Sequence, residues 1–381
     1  MSGLRRTATI LFALAACGGP SRPGAINNLA FDGGPGVDTF SRPEAIPVPD
    51  RMPSCGGTAV SLTRRDAEVL FVVDRSGSMV ETTLGGRSKW NSLLETFRNV
   101  LPALQTDLTM GLLVFPKVLR PSPTGDPLPP SEVCDVLRTL DVEPGRSTAA
   151  AIMAQLGRAL PAGATPTNTA LEAAADYYRR TPDRVGARYL VLATDGGPNC
   201  NGALENATCR CSAQPEATLC RSMSNIYARH NCLDDARTVA TVASLRAMGI
   251  ETFVLGLPGT ETLVDVLDRM AEAGGRARAT SPRYLAATSY PDLVREFQNL
   301  TSGLIECRFR LTMAPPDPTL VDVRLGGQSL IHDTGRRDGW DWSDDTHEEI
   351  LFFGQTCDTL RASSGGTRLV AAFGCPAPTP P

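Results

Sequence analysis

The 381-residue sequence has no excess of positive charge of the kind that nucleic-acid binding proteins carry. Its 37 lysines and arginines are outnumbered by 41 acidic residues, so the net charge is −4. Only three histidines are present, scattered without the spacing of metal ligands, and no two cysteines form a CxxC pair. The sequence also contains no GxSxG nucleophile motif and no phosphate-binding loop. These absences argue against a nucleic-acid partner and against the common hydrolase and nucleotide-dependent enzyme classes.

The amino-terminal segment indicates export. Two arginines precede an apolar stretch at 8–16 that is too short to span a bilayer permanently. Leu14-Ala-Ala-Cys17 then resembles the lipobox of bacterial lipoproteins, which implies a signal peptide at 1–17, a lipid on Cys17 and a membrane anchor in the bacterial cell envelope. Gly18 after the cysteine is compatible with sorting to the outer membrane, facing the periplasm or the exterior. The alternatives are an ordinary signal peptide cut nearby and an intracellular start with a chance cysteine.

Residues 18–53 are rich in glycine and proline and show little apolar periodicity. This composition predicts a flexible tether between the anchor and the folded part. A flexible coil of this length spans on the order of 30 to 36 Å, enough to hold the folded part clear of lipid headgroups. The alternative is an extended arm packed on the domain.

Apart from Cys17, the chain has ten cysteines, at positions 55, 134, 200, 209, 211, 220, 232, 307, 357 and 375. An even number in an exported chain predicts disulfides, because the compartment is oxidising, but the pairing cannot be deduced from the sequence. The alternative is a zinc cluster, although its candidate ligands lack the usual spacing. These candidates are Cys200, Cys209, Cys211, Cys220, Cys232 and His230.

The stretch from Val69 to Met79 carries the strongest chemical signal. The apolar run Val69–Val73 indicates a buried strand that ends at Asp74, and serine hydroxyls follow at Ser76 and Ser78. The end of this strand therefore presents three oxygen side chains. Oxygen ligands grouped in this way favour a hard cation such as Mg²⁺ or Mn²⁺ over zinc or copper.

The DxSxS pattern of Asp74, Ser76 and Ser78 resembles the start of the metal-ion-dependent adhesion site of the von Willebrand factor A family. The family adds a threonine from a second loop and an aspartate at the end of a later strand, and this sequence supplies matching residues as Thr165 and Asp195. The resemblance implies that these five residues hold Mg²⁺ or Mn²⁺. It also implies that the cation binds an Asp or Glu carboxylate of a partner protein, so that the protein serves adhesion and is not an enzyme.

Strands and helices alternate over residues 54–306, which predicts an α/β domain with a doubly wound, Rossmann-like and mostly parallel sheet. Asp74 and Asp195 would both lie at the carboxyl edge of this sheet, where such folds have their ligand sites. The predicted strands are Val69–Val73, Leu108–Phe115, Arg188–Thr194 and Ile250–Leu257, with a short edge strand at Cys134–Val142. The predicted helices are Trp90–Leu104, Ser147–Leu160, a helix through Leu171–Tyr178 with caps at Thr167–Thr169, Asp235–Met248, a helix through Leu263–Ala271 that ends at Gly274-Gly275, and a last helix that opens at Pro291 and runs to Leu304.

Residues 196–234 interrupt this alternation with five cysteines and no clear periodicity. Because the segment starts directly after Asp195, one prediction is an insertion beside the binding face, and the alternative is a segment that decorates an edge of the domain.

Residues 307–376 contain short β-like runs separated by turns, which predicts a small, disulfide-stapled, all-β module followed by a tail at 377–381. Trp340 and Trp342 could form an exposed surface that stacks on carbohydrate. Closely spaced tryptophans in a small β module are more often core.

Two other functions compete with metal-bridged binding. A phosphatase of the haloacid-dehalogenase type also begins with a strand-terminal aspartate, but it needs a carboxylate at position 76 as general acid, and Ser76 removes that proton donor. The second is a degenerate domain that serves only as a scaffold. All five ligand residues are present, which weakens this reading, although residues competent to bind need not bind. The sequence leaves the partner and the oligomeric state open.

Overall fold

A computed structural model describes residues 58–380 except 65–66, 106, 118–127, 183–185, 206, 213–218, 222–227, 305–306 and 363–367. The predicted signal segment with Cys17, the tether and Cys55 lie outside the described residues. Within the described ranges, no helix combines the length and the apolar character needed to cross a membrane.

Strands and helices alternate over most of residues 67–304, as predicted for the α/β part, whereas strands predominate from residue 308 onward. In chain order the strands are β1 (Ala59–Arg64), β2 (Ala67–Asp74), β3 (Thr82–Leu84), β4 (Arg87–Ser88), β5 (Leu108–Phe115), β6 (Val142–Gly145), β7 (Ala187–Thr194), β8 (Ile250–Gly256), β9 (Leu285–Ala286), β10 (Arg308–Leu311), β11 (Val321–Leu325), β12 (Gln328–Ser329), β13 (Gly339–Trp342), β14 (Glu349–Phe353) and β15 (Leu369–Phe373). The helices are α1 (Lys89–Leu104), α2 (Pro130–Val133), α3 (Ala149–Arg158), α4 (Thr167–Arg180), α5 (Asp235–Ala247), α6 (Val264–Gly274), α7 (Tyr290–Leu304) and α8 (Gly354–Ala362).

A six-stranded sheet with the order β6-β5-β2-β7-β8-β9 forms the α/β part. The central strand β2 pairs in parallel with β5 and β7, whereas the edge strand β6 runs antiparallel to β5. All eight residues of β2 are buried, as expected for a strand covered on both faces. This order confirms the predicted doubly wound, mostly parallel sheet. The edge strand needs correction: it begins at Val142 instead of ending there, since pairing to β5 starts where the Asp141 amide donates to the Leu112 carbonyl.

Helices cover both faces of this sheet. On one face, Phe71 of β2 packs against Phe97 of α1 and Phe297 of α7, in a core that also includes α3. On the other face, Leu70 and Val72 lie among buried residues of α4, α5 and α6. Because successive side chains of β2 are locked into opposite cores, the position of Asp74 at the end of the strand is fixed by packing.

A second sheet is antiparallel and has the order β12-β11-β15-β1-β10-β14-β13. Strand β1 pairs with β10 on one side and with β15 on the other. The predicted boundaries, 54–306 for the α/β domain and 307–376 for the β module, therefore need correction, because the α/β part is inserted between β1 and β10. Buried and exposed residues alternate along β1, as is typical of an antiparallel strand with one solvated face. This alternation is the signal that could have separated β1 from the parallel sheet.

The carboxyl-terminal part also differs from the predicted all-β module, since α8 lies between β14 and β15. This helix packs on the core of the second sheet, and a disulfide joins its Cys357 to Cys307 beside β10. Trp340 and Trp342 are buried in the same core, which confirms the core reading for both.

The nine described cysteines are all disulfide-bonded, as predicted for an exported chain. The bridges are Cys134–Cys200, Cys209–Cys232, Cys211–Cys220 and Cys307–Cys357, and Cys375 is also in a disulfide. The sulfur atoms of Cys209, Cys220 and Cys232 lie within 4.8 Å of one another because two bridges are neighbours. Sulfur atoms held in disulfides are not thiolates, so the zinc alternative is not favoured.

Candidate metal centre

Two neighbouring strands of the parallel sheet end at the predicted acidic ligands. β2 ends at Asp74, and β7 ends at Thr194, one residue before Asp195. The strands pair in parallel, so their carboxyl ends meet at one edge of the sheet. There the Thr194 hydroxyl donates a hydrogen bond to Asp74 Oδ2 at 2.6 Å, which holds one side of the carboxylate.

The serines of the DxSxS motif turn from Asp74 toward Asp195. The Ser76 amide donates to Asp74 Oδ1 at 2.7 Å, and Gly77–Val80 then form a 3-10 turn. Ser76 Oγ and Ser78 Oγ are 3.2 Å apart, and Ser78 Oγ donates to Asp195 Oδ1 at 2.9 Å. Ser76 Oγ lies 3.5 Å from the same carboxylate oxygen. Four of the five predicted ligands thus form one connected cluster.

Thr165 comes from the loop between α3 and α4 and lies against the same crevice. Its amide donates to Asn199 Oδ1 and its carbonyl accepts from the Asn199 amide, both at 2.9 Å. Thr165 Oγ1 is 3.9 Å from the position that a β-carbon on Gly196 would occupy, directly after the second acidic ligand. The Gly77 amide also donates to the Gly163 carbonyl at 3.1 Å, so this loop contacts the serine turn. The fifth predicted ligand therefore lies beside the other four.

The spacing of the oxygen atoms fits a small octahedral cation. Ligands of Mg²⁺ lie about 2.0–2.1 Å from the ion in octahedral geometry, so adjacent oxygens are about 3 Å apart. The contacts among Ser76, Ser78 and Asp195 measure 2.9, 3.2 and 3.5 Å. The predicted donors are carboxylates and hydroxyls, the set that hard cations prefer. The residues present thus fit Mg²⁺ or Mn²⁺, and cation binding itself stays a prediction.

Two buried carboxylates repel each other in this crevice. Burial, together with the charge of Asp195, raises the pKa of Asp74 to about 7. Burial also raises the pKa of Asp195, although Lys89 acts in the opposite direction. Lys89 Nζ donates to Asp195 Oδ2 at 2.8 Å and to Glu81 Oε2 at 2.7 Å. Burial lowers the pKa of Lys89, but these two carboxylates outweigh it and leave that pKa above its ordinary value. A divalent cation would relieve the remaining repulsion between Asp74 and Asp195.

The sequence pattern did not single out Lys89 or Arg75. Arg75, inside the DxSxS motif, is buried and donates to the carbonyl oxygens of Pro116, Lys117 and Leu160. It thereby ties the end of β2 to the loop after β5 and to the loop that leads to the threonine ligand. Charged residues after a strand are usually solvated, so the sequence carries no signal for either contact.

Comparisons with known proteins returned only structural likenesses. No family model matches the sequence, and no curated protein matches it. The chain is similar to the PilB minor pilin from Streptococcus sanguinis, with 16% identity over 64% of this chain and 62% of that chain and a TM-score of 0.41. It is similar to the pilus adhesin SpaC from Lactobacillus rhamnosus GG in its open conformation, with 14% identity over 82% of this chain and 39% of that chain and a TM-score of 0.45. A third is the vWF domain of the type V pili tip protein Mfa5 from Porphyromonas gingivalis, with 9% identity over 64% of this chain and 96% of that chain and a TM-score of 0.42.

The chain spans less than two thirds of the pilin and of SpaC, and these likenesses concern the fold alone. The order and direction of the six strands give the α/β part the fold of a von Willebrand factor A domain. The resemblance in the DxSxS motif predicted this fold.

Proposed function

We propose that the protein is a non-enzymatic binding protein of the adhesion type, anchored in the cell envelope. In this proposal it captures a carboxylate-bearing protein partner through Mg²⁺ or Mn²⁺ held by Asp74, Ser76, Ser78, Thr165 and Asp195. The observation that carries the proposal is the cluster of ligand oxygens spaced by 2.9, 3.2 and 3.5 Å at the carboxyl edge of the sheet. When bound, the cation supplies an electrophilic position for a carboxylate oxygen of the partner.

The chain's own residues orient the partner without transforming it. Three of the five ligands are neutral hydroxyls, which leave a bound cation strongly attractive to an anion. One oxygen of each acidic ligand already accepts a hydrogen bond from a side chain. Thr194 donates to Asp74 Oδ2, and Lys89 donates to Asp195 Oδ2. The set is therefore short of strong ligands, and a partner carboxylate adds the missing charge.

We assign choice of partner to the segment after Asp195. Its first residues contact the threonine loop through Asn199. Farther along, Arg210 pairs with Asp265 at 2.7 Å and donates to the Thr262 carbonyl, at the start of α6. The described part of the segment 196–234 thus runs beside the crevice, where a partner bound at the cation would meet it.

A pull-down from the cell envelope, with Mg²⁺ or with a chelator, tests this function. The wild-type protein should capture a partner only with Mg²⁺, and Thr165→Ala should lose most of the capture. Thr63→Ala is the matched control, because Thr63 lies on β1 in the other sheet and is exposed. Undiminished capture in chelator and in Thr165→Ala would place the binding surface elsewhere, with the second sheet as the next candidate.

Cation affinity should rise with pH up to about 7 and then level off. In the protein without a cation, Asp74 keeps its proton until about pH 7, so an entering cation must displace that proton. Affinity for Mn²⁺ should therefore rise about tenfold per pH unit from about pH 5 to 7. The pKa of Asp74 in the folded protein lies above its ordinary value of 3.8. The cation-free protein should therefore lose stability as the pH rises from 3.8 to about 7. Calorimetric titration of the protein with Mn²⁺ at several pH values from about 5 to 7 measures this affinity. An affinity that does not change with pH would show that Asp74 is already ionised.

Replacing Cys17 by serine should release the protein from membranes. The motive is the lipobox, in which this cysteine carries the lipid. Metabolic labelling with a radioactive fatty acid should mark the wild-type protein and the tether variant Ser21→Ala, but not Cys17→Ser. Equal labelling of all three, or none of the wild type, would rule out an anchor at this residue.

A further inference from the structure

Lys89, the first residue of α1, directs its ammonium group into the ligand cluster. Its side chain is 2% exposed, and Asp195, which it contacts, is fully buried. Gly259 lies directly against this pair. A β-carbon there would lie 3.1 Å from Lys89 Nζ and 2.7 Å from the Asp195 carbonyl oxygen. A buried ammonium is costly unless it is paired, so Lys89 is held in place by Asp195 and by Glu81.

The ammonium and a divalent cation would use opposite oxygens of one carboxylate. Asp195 Oδ2 accepts from Lys89, while Oδ1 faces the serines and accepts from Ser78. Two positive groups on one carboxylate repel each other strongly where water is excluded. Glu81 offsets this only in part, because its side chain is 60% exposed and water screens its charge.

We propose that Lys89 couples the binding of a cation at the metal centre to the binding of a partner carboxylate. It acts as a built-in counter-cation that weakens binding of a divalent cation alone and makes tight binding depend on an incoming carboxylate. With both acidic ligands ionised and a divalent cation bound, the cluster is neutral, and Lys89 adds one positive charge. A partner carboxylate restores neutrality, so cation and partner bind cooperatively. This inference rests on the proposed function.

Titration with Mn²⁺ alone, followed by electron paramagnetic resonance of the free ion, tests the role of Lys89. Lys89→Met removes the charge at nearly constant volume and should bind Mn²⁺ at least about tenfold more tightly than the wild type. Mn²⁺ should also raise the melting temperature of the variant more than that of the wild type. Acetate, the simplest carboxylate, should tighten Mn²⁺ binding in the wild type more than in the variant. Arg87→Met is the matched control, because Arg87 is half exposed and pairs with Glu95, and it should leave the affinity unchanged.

A second variant covers the case in which Lys89→Met does not fold. Glu81→Gln removes the charge of an exposed side chain, so Asp195 alone then balances the charge of Lys89. This variant should therefore bind Mn²⁺ more weakly than the wild type. If the wild type binds Mn²⁺ but Lys89→Met does not bind it more tightly, or Glu81→Gln does not bind it more weakly, this inference is wrong. The proposed function still stands in that case. No Mn²⁺ binding by any of the proteins overturns both.

Discussion

Replacing Asp195 by alanine should weaken binding of Mg²⁺ and Mn²⁺ at least about 100-fold, beyond the loss typical of a residue that only supports a ligand. Asp195 Oδ1 is the oxygen on which Ser76 and Ser78 converge, and Asp195 is the acidic neighbour whose charge acts on Asp74. Its removal leaves one carboxylate for the cation and deprives the buried Lys89 of its buried partner. Isothermal titration calorimetry on the purified protein measures the effect directly.

The variant Asp195→Asn separates charge from shape. It keeps the volume of the side chain and should lose most of the affinity as well, because the amide carries no charge. Asp176→Ala is the matched control, since Asp176 lies on α4 at the surface and pairs with Arg179. Loss of one partner of a buried ion pair costs about 3–5 kcal/mol of stability, so circular dichroism must show that Asp195→Ala is folded at the titration temperature. Equal affinity in the wild type and both Asp195 variants would remove the metal centre as assigned.

Removing the disulfide between Cys134 and Cys200 should weaken cation binding about tenfold, within the range for residues that orient metal ligands. Cys200 directly follows Asn199, which holds the backbone of Thr165 on both sides. On the other side of the bridge, the Val133 carbonyl accepts from the amide of residue 164 at 3.0 Å. The bridge therefore clamps the loop that delivers the threonine ligand, and the double variant Cys134→Ser/Cys200→Ser frees it.

The disulfide between Cys307 and Cys357 gives a matched control for this prediction. The two bridges join residues 66 and 50 positions apart, and chain-entropy estimates give each a stabilising effect of about 4 kcal/mol. Both double serine variants should therefore unfold at similarly lower denaturant concentrations. Only the variant at Cys134 and Cys200 should lose cation affinity, because the other bridge joins α8 to the residue before β10, beside the second sheet. A similar loss in both would attribute the effect to overall stability.

The α/β layers were predictable because their burial leaves a direct trace in the sequence. β2 is covered on both faces and gives a continuous apolar run, and the helices show apolar residues at three- and four-residue steps. The position of β1 was not predicted. Its partners β10 and β15 are separated from it by the whole α/β insertion, and short-range patterns do not report pairing over such distances.

The candidate ligands were predictable because a short motif and two strand ends carry them. Lys89 and Arg75 were not, since their significance depends on contacts between distant segments. Lys89 meets a carboxylate 106 positions later in the chain, and Arg75 reaches the Leu160 carbonyl 85 positions later. A lysine at a helix start and an arginine after a strand are ordinary solvated residues in any local pattern.

Anomalous scattering from a crystal of the protein grown with Mn²⁺ is the measurement that tests the metal centre most directly. We predict one strong peak at the carboxyl edge of the parallel sheet, about 2.2 Å from the hydroxyl oxygens of Ser76 and Ser78. At least one remaining coordination position should be filled by a water or by a carboxylate from outside the chain. A folded protein with no peak at this edge, or with its strongest peak away from these serines, would contradict the proposed metal-bridged binding.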